Sequence, residues 1–108
     1  MNEVYLSPKA ENDLKEIKTY IAEELENPRA ALVTVGRITK SLRILQTHAF
    51  AGAPLSSVAD VESDYRFLVN GNYLSFYRTY ENMVYVDRIL YGRRDYLRIL
   101  FGDTETTE

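Results

Sequence analysis

The chain has 108 residues, which fits one domain around one hydrophobic core. It has no cysteine and a single histidine, which excludes disulfides, thiolate chemistry and the usual zinc sets. Thirteen basic and sixteen acidic residues leave a formal charge of −3, which speaks against a chain-wide nucleic-acid binder.

Glu3-Val4-Tyr5-Leu6 reads as a short strand. Ser7-Pro8 then reads as a helix start, serine capping and proline opening the first turn. Ala10, Leu14, Ile17, Ile21 and Leu25 make one apolar stripe along a helix that runs to about Glu26. Asn27-Pro28 repeats the start signal, and the second stripe is Ala31, Val35, Ile38, Leu42 and Leu45. Two helices joined by so short a break form an antiparallel pair that needs a sheet to cover. From His48 to Ser63 the pattern breaks down into a loop.

Beyond it the period becomes two. Asp64 to Val69, Tyr73 to Tyr80 and Met83 to Tyr91 read as a three-stranded antiparallel meander. Asn70-Gly71 predicts a hairpin with a type I′ turn, and Glu81-Asn82 marks the second turn. Gly92 ends the meander, and Arg93 to Phe101 form a last short helix or turn. The fold class is therefore α+β, with the order β-α-α-β-β-β: a small antiparallel sheet covered by a two-helix hairpin. How the first strand joins the sheet is not readable from periodicity. Residues 1–101 make one domain, and 102–108 read as a disordered acidic tail. No apolar run approaches the ~20 residues of a membrane span, and the expected location is a reducing cytoplasm.

No metal set, phosphate-cradling glycine loop or nucleophile motif is present, and no cofactor is implied. His48 reads as a helix C-terminal residue near the dipole. The helix acids Glu11, Asp13, Glu16, Glu23, Glu24 and Glu26 read mainly as a solvated face. The unusual feature is arginine mixed with tyrosine. Residues 63–101 carry six arginines, no lysine and four acids. On the third meander strand, alternation sets Val84, Val86, Arg88 and Leu90 against Met83, Tyr85, Asp87, Ile89 and Tyr91. One sheet face must cover the helices, and the other is apolar enough to suggest a partner surface. Arginine with tyrosine fits an ordinary sheet surface, a protein interface or RNA contact. The electrostatic half of a nuclease site is clear, and the proton-transfer half is weak.

The chain resembles the RelE/ParE superfamily of type II toxin–antitoxin toxins. The resemblance runs from Val4 to about Leu100. It rests on Ser7-Pro8 with Ala10 and Leu14, Asn27-Pro28, Pro54-Leu55, Tyr65-Arg66, Gly71-Asn72-Tyr73, Phe76-Tyr77, Val86-Asp87-Arg88-Ile89 and Gly92-Arg93-Arg94-Asp95. It implies a cytoplasmic growth inhibitor held by a cognate antitoxin. The two branches differ in target: the ribosome with its mRNA, cut without a metal, or DNA gyrase, poisoned without a known nuclease site. In the cleaving branch the resemblance makes Arg66 and Arg94 catalytic. Leu68, Leu74 and Leu100 stand at or near positions where cleaving members carry functional side chains, which tilts the resemblance toward the ParE-like branch and leaves the question of an enzyme open. In that branch Arg93, Arg94, Tyr96 and Arg98 are the expected target-binding residues. Tyr20 and Leu32, on the outer faces of the helices, are the expected antitoxin contacts. A non-toxic interaction domain of the same fold is the third possibility.

Overall fold

A computed structural model of the chain describes residues 1–102; the rest of the tail expected at 102–108 lies outside the described residues. The elements are β1 (Glu3–Leu6), α1 (Pro8–Thr19), a π-turn (Tyr20–Glu24), α2 (Pro28–Arg43), a 3₁₀ turn (Ile44–Gln46), β2 (Ala53–Pro54), a second 3₁₀ turn (Leu55–Ser57), β3 (Arg66–Asn70), β4 (Tyr73–Tyr80), β5 (Met83–Tyr91) and α3 (Tyr96–Phe101). None of the described helices is long and apolar enough to cross a membrane.

Both helix starts form as their sequences dictate. The Ser7 hydroxyl accepts from the Ala10 N–H at 3.0 Å and donates to the Asp87 carbonyl at 2.7 Å, so the cap also ties α1 to the sheet. The Asn27 carboxamide accepts from the Ala30 N–H at 3.1 Å. At the far end of α1 the ladder widens, with Leu25 N–H bonding to the Tyr20 carbonyl at 3.1 Å, five residues back. That inserted residue turns Leu25 off the apolar stripe, and the side chain is 55% exposed instead of buried.

The sheet has the order β1-β5-β4-β3-β2. β3, β4 and β5 form the expected antiparallel meander, and β1 joins it in parallel beside β5. A fifth strand, β2, comes from the segment expected to be all loop, pairing Ala53 with Phe67 and Pro54 with Arg66. The β3–β4 turn also differs from expectation. Asn70 pairs with Tyr73, so the central residues are Gly71 and Asn72, and only Gly71 has a positive φ, at 61°. That is the requirement of a type II′ turn, not type I′.

The simple alternation expected for β5 is broken by a bulge. Phe76 faces Arg88 but Tyr77 faces Val86, which leaves Asp87 without a partner across the ladder. One extra residue reverses every later side chain. Val84, Val86 and Ile89 therefore pack under the helices with Ile17, Ile38, Leu42 and Tyr77. Leu90 goes to the other side.

That other side is not the free partner surface expected from its composition. Leu55, Phe76 and Leu90 form a second buried core, closed by Ala59 and Val61 from the β2–β3 connection and by Tyr96, Leu97, Ile99 and Leu100 around α3. Pro54-Leu55 thus acts as a corner that sends the chain under the sheet, with Leu55 completely buried. Phe76 and Tyr77, consecutive and both fully buried, fill the two cores from opposite faces of β4. Side chains of this size each contribute about 1.5–3 kcal/mol on burial.

Candidate functional site

Arg66 lies on β3 beside β2, and its guanidinium is engaged with the chain itself. One Nη donates to the Gly52 carbonyl at 2.6 Å and to the Phe50 carbonyl at 3.4 Å, and the group stacks 4.7 Å from the centre of the Phe50 ring. Opposite it on β4 stands Tyr77, which accepts from the Gly52 N–H at 2.9 Å and donates to the Ala49 carbonyl at 2.8 Å. The loop presses so close here that a Cβ on Gly52 would sit 2.6 Å from the Phe67 carbonyl and 2.8 Å from the Tyr77 ring. Arg66 and Tyr77 together hold residues 49–52 on the sheet. Burial pushes the Tyr77 phenol up, and the Gly52 bond and Arg66 act in the opposite sense.

Arg94 is placed differently. It follows Gly92, whose N–H donates to the Asn72 carbonyl at 2.8 Å, and it is exposed with no side-chain partner among the described residues. It lines a cleft of about 450 Å³ between the end of α1 and the edge of the sheet where β4 starts and β5 ends. Tyr20, Leu25, Tyr73, Tyr91 and Glu16 line the same cleft. Tyr73 and Tyr91 face each other across the ladder at 5.8 Å in an edge arrangement. Burial pushes the Tyr73 phenol up, with Tyr91 and Tyr20 adding to it. Three phenols, one leucine turned out by the π-turn and one unpaired guanidinium make a surface suited to a protein side chain.

Tyr20, expected to meet the antitoxin, and Arg94, expected to meet the target, share one cleft, and neither cleft that Arg94 lines includes Arg66. Arg93 points to the neighbouring hollow at the hairpin, with Gly71, Leu74 and Tyr96. Tyr96 is half-buried, its ring 5.2 Å from Phe76 in the second core. Arg98 is exposed on α3 with Asp95 3.9 Å away. Leu32 is exposed on the outer face of α2. His48 lies just past the second helix, 2.9 Å from the Thr47 hydroxyl and apart from these groups.

One residue read as part of a solvated face belongs to the architecture of the site. Asp13 is only 4% exposed. Its carboxylate receives Arg88 in two bonds, at 2.8 and 2.9 Å, and the Ile89 N–H at 2.9 Å. This fork ties α1 to the strand just beyond the bulge, and the bond to Asp13 holds the Arg88 guanidinium above its ordinary value. A second cluster sits on the opposite face. The Tyr65 hydroxyl donates to Asp87 at 2.8 Å, Arg78 donates to the same oxygen at 3.0 Å, and Arg78 stacks 5.0 Å from the Tyr65 ring. Residues Val86 to Ile89 are thus a framework, with Asp87 and Arg88 paired to opposite faces of the sheet.

Comparison with known proteins gives two findings of weight. The model of the ParE toxin of type II toxin–antitoxin systems, parDE, matches residues 4–96. The structure is similar to one described as the chromosomal ParDE toxin–antitoxin system from P. aeruginosa, at a TM-score of 0.71 and 25% identity, covering 84% of this chain and 96% of that one. YafQ from E. coli strain BL21(DE3) is more distant, at a TM-score of 0.48 and 16% identity over 94% of this chain and 100% of that one. No curated protein sequence matches.

Proposed function

The chain belongs to the ParE toxin family of type II toxin–antitoxin systems, and on that premise we propose that it arrests growth by binding DNA gyrase and does not cut RNA. Its other partner is a cognate antitoxin, in keeping with the ParDE system it resembles. The observation that carries the reading is the commitment of Arg66. A guanidinium that holds phosphate in a nuclease must face the substrate. Here it faces the Gly52 and Phe50 carbonyls, and Tyr77, the phenol beside it, is buried completely. Arg94, by contrast, stands free at the tyrosine-lined cleft, where a protein target can reach it.

The test is induction in a bacterial host, with mRNA end-mapping and supercoiling by purified gyrase as readouts. Wild-type protein inhibits gyrase and leaves mRNA intact. Arg94→Ala stays folded, with stability within about 0.5 kcal/mol, and arrests growth weakly. Arg66→Ala loses about 1.5–3 kcal/mol from the loop anchor but keeps the arrest. Codon-spaced mRNA cleavage that disappears in Arg66→Ala would overturn the reading.

A further inference from the structure

The tyrosine-lined cleft continues into a second hollow of about 540 Å³. Asp13, Glu16 and Arg94 line both, and the second adds Lys9, Asn12 and Arg88. Together they form one trough beside α1. Lys9, Asp13, Glu16 and Tyr20 follow one another at spacings of four, three and four, which puts them on one line down the helix and its π-turn. The opposite wall is the end of β5. β1 stops at Leu6, opposite Val86, so the residues of β5 beyond it have no strand on that side. Backbone groups along this stretch are already engaged. The Ser7 hydroxyl donates to the Asp87 carbonyl at 2.7 Å, Asp13 accepts from the Ile89 N–H at 2.9 Å, and the Arg94 N–H donates to the Tyr91 carbonyl at 3.0 Å. An added strand would find no continuous ladder here, so an occupant is held through its side chains.

The two ends of the trough differ in chemistry. At one end Tyr20, Leu25, Tyr73 and Tyr91 offer apolar surface edged with phenols. At the other the acids are committed and two of the bases are not. Asp13 is paired with Arg88, and Glu16 accepts from the Asn12 carboxamide at 3.1 Å. Lys9 and Arg94 are exposed, and neither forms an ion pair with a described residue. Lys9 stands in the first turn of α1, where the helix dipole disfavours a positive charge, so the helix itself does not call for it. The charge that the trough has to offer is therefore positive.

We propose that this trough takes a short extended segment of the target protein, with an acidic side chain held by Lys9 and Arg94 and a bulky apolar side chain among the tyrosines. Lys9 and Tyr20 are about 16 Å apart along the helix, at about 1.5 Å per residue. About five extended residues span that length, which sets the separation of the two side chains. Charge complementarity selects the occupant. A nucleic-acid strand carries a charge on every residue and would run against Glu16, which lines both hollows. A peptide with a single acid does not. The proposal rests on the gyrase reading above and adds the chemistry that the bound segment must have.

The experiment measures binding of the purified full chain to purified gyrase at about 100 and about 500 mM salt. Lys9→Glu binds at least tenfold more weakly at low salt, with a smaller loss at high salt. Lys15→Glu, the same change of charge off this line of α1, binds like the wild type. Tyr91→Ala binds at least tenfold more weakly at both salts. A glutamate suits the first turn of a helix, and circular dichroism checks that each variant is folded. Wild-type binding by either Lys9→Glu or Tyr91→Ala overturns the proposal and leaves the gyrase reading standing. Equal losses in Lys9→Glu and Lys15→Glu overturn it in favour of long-range charge. A Lys9→Glu variant that keeps gyrase but loses a single-stranded oligonucleotide, or the cognate antitoxin, overturns it in favour of that ligand. A wild-type chain that does not bind gyrase at either salt overturns both.

Discussion

Asp13 and Arg66 show how much a charged residue's role depends on its nearest donors and acceptors. Asp13 is one of several acids on the first helix and carries no mark in the sequence that sets it apart, yet its carboxylate accepts three bonds in a buried site. Removing one partner of such a pair leaves the other charge uncompensated, which typically costs 3–5 kcal/mol. Arg88 keeps some solvent access, with 21% of its side chain exposed, so the lower end applies. Asp13→Ala is expected to lose about 3 kcal/mol in chemical denaturation. A loss below about 1 kcal/mol would mean that Arg88 finds another partner or water. Arg66 is the converse: a residue whose type suggests phosphate binding serves as a loop anchor, because the Gly52 and Phe50 carbonyls accept from its guanidinium.

At the scale of elements, two inserted residues shape the site. The π-turn rotates Leu25 out toward Tyr20, and the bulge at Asp87 reverses the remainder of β5. The two hairpin turns make a matched pair for experiment. Gly71 has a φ of 61° and Glu81 a φ of 53°, both in the left-handed region. A residue with a Cβ there costs about 1–2 kcal/mol. Gly71→Val is therefore expected to lower stability by that amount. Glu81→Gly is expected to raise it by about 0.5 kcal/mol, since part of the relief is offset by the greater freedom of glycine in the unfolded chain. Thermal unfolding of both variants checks the pair, and the signs must be opposite.

The whole molecule is one sheet with a core on each side, and Tyr65 helps join the second side together. Its hydroxyl bonds Asp87 of β5, and its ring meets Phe101 of α3 edge-on at 5.7 Å. Burial, followed by the bond and the charge of Asp87, pushes this phenol from 10.0 to about 12. The folded state therefore favours the protonated phenol. Its contribution to stability is complete below pH 10.0 and is lost as the pH rises toward about 12. Stability is expected to decline across that window in the wild type and to decline less steeply in Tyr65→Phe. Denaturant midpoints measured at intervals above pH 9 test this, and parallel curves would show that Tyr65 ionises freely in the fold.

The sequence alone determined the elements that depend on near neighbours. Ser7-Pro8 and Asn27-Pro28 start the helices because capping and a preset φ act within one turn. The apolar stripes and the period-two runs identify the helix pair and the meander for the same reason. Only the tertiary structure decided the features that depend on distant groups. The donor that makes Asp13 a buried anchor is 75 residues away. The acceptors that occupy Arg66 are in a loop with no periodicity of its own. Tyr20 and Arg94 meet because a helix end packs beside a hairpin. The bulge and the π-turn each insert one residue without a compositional mark, yet each changes which side chains face the core. A local pattern records what a residue prefers, and the packing of the whole chain decides which partner satisfies it.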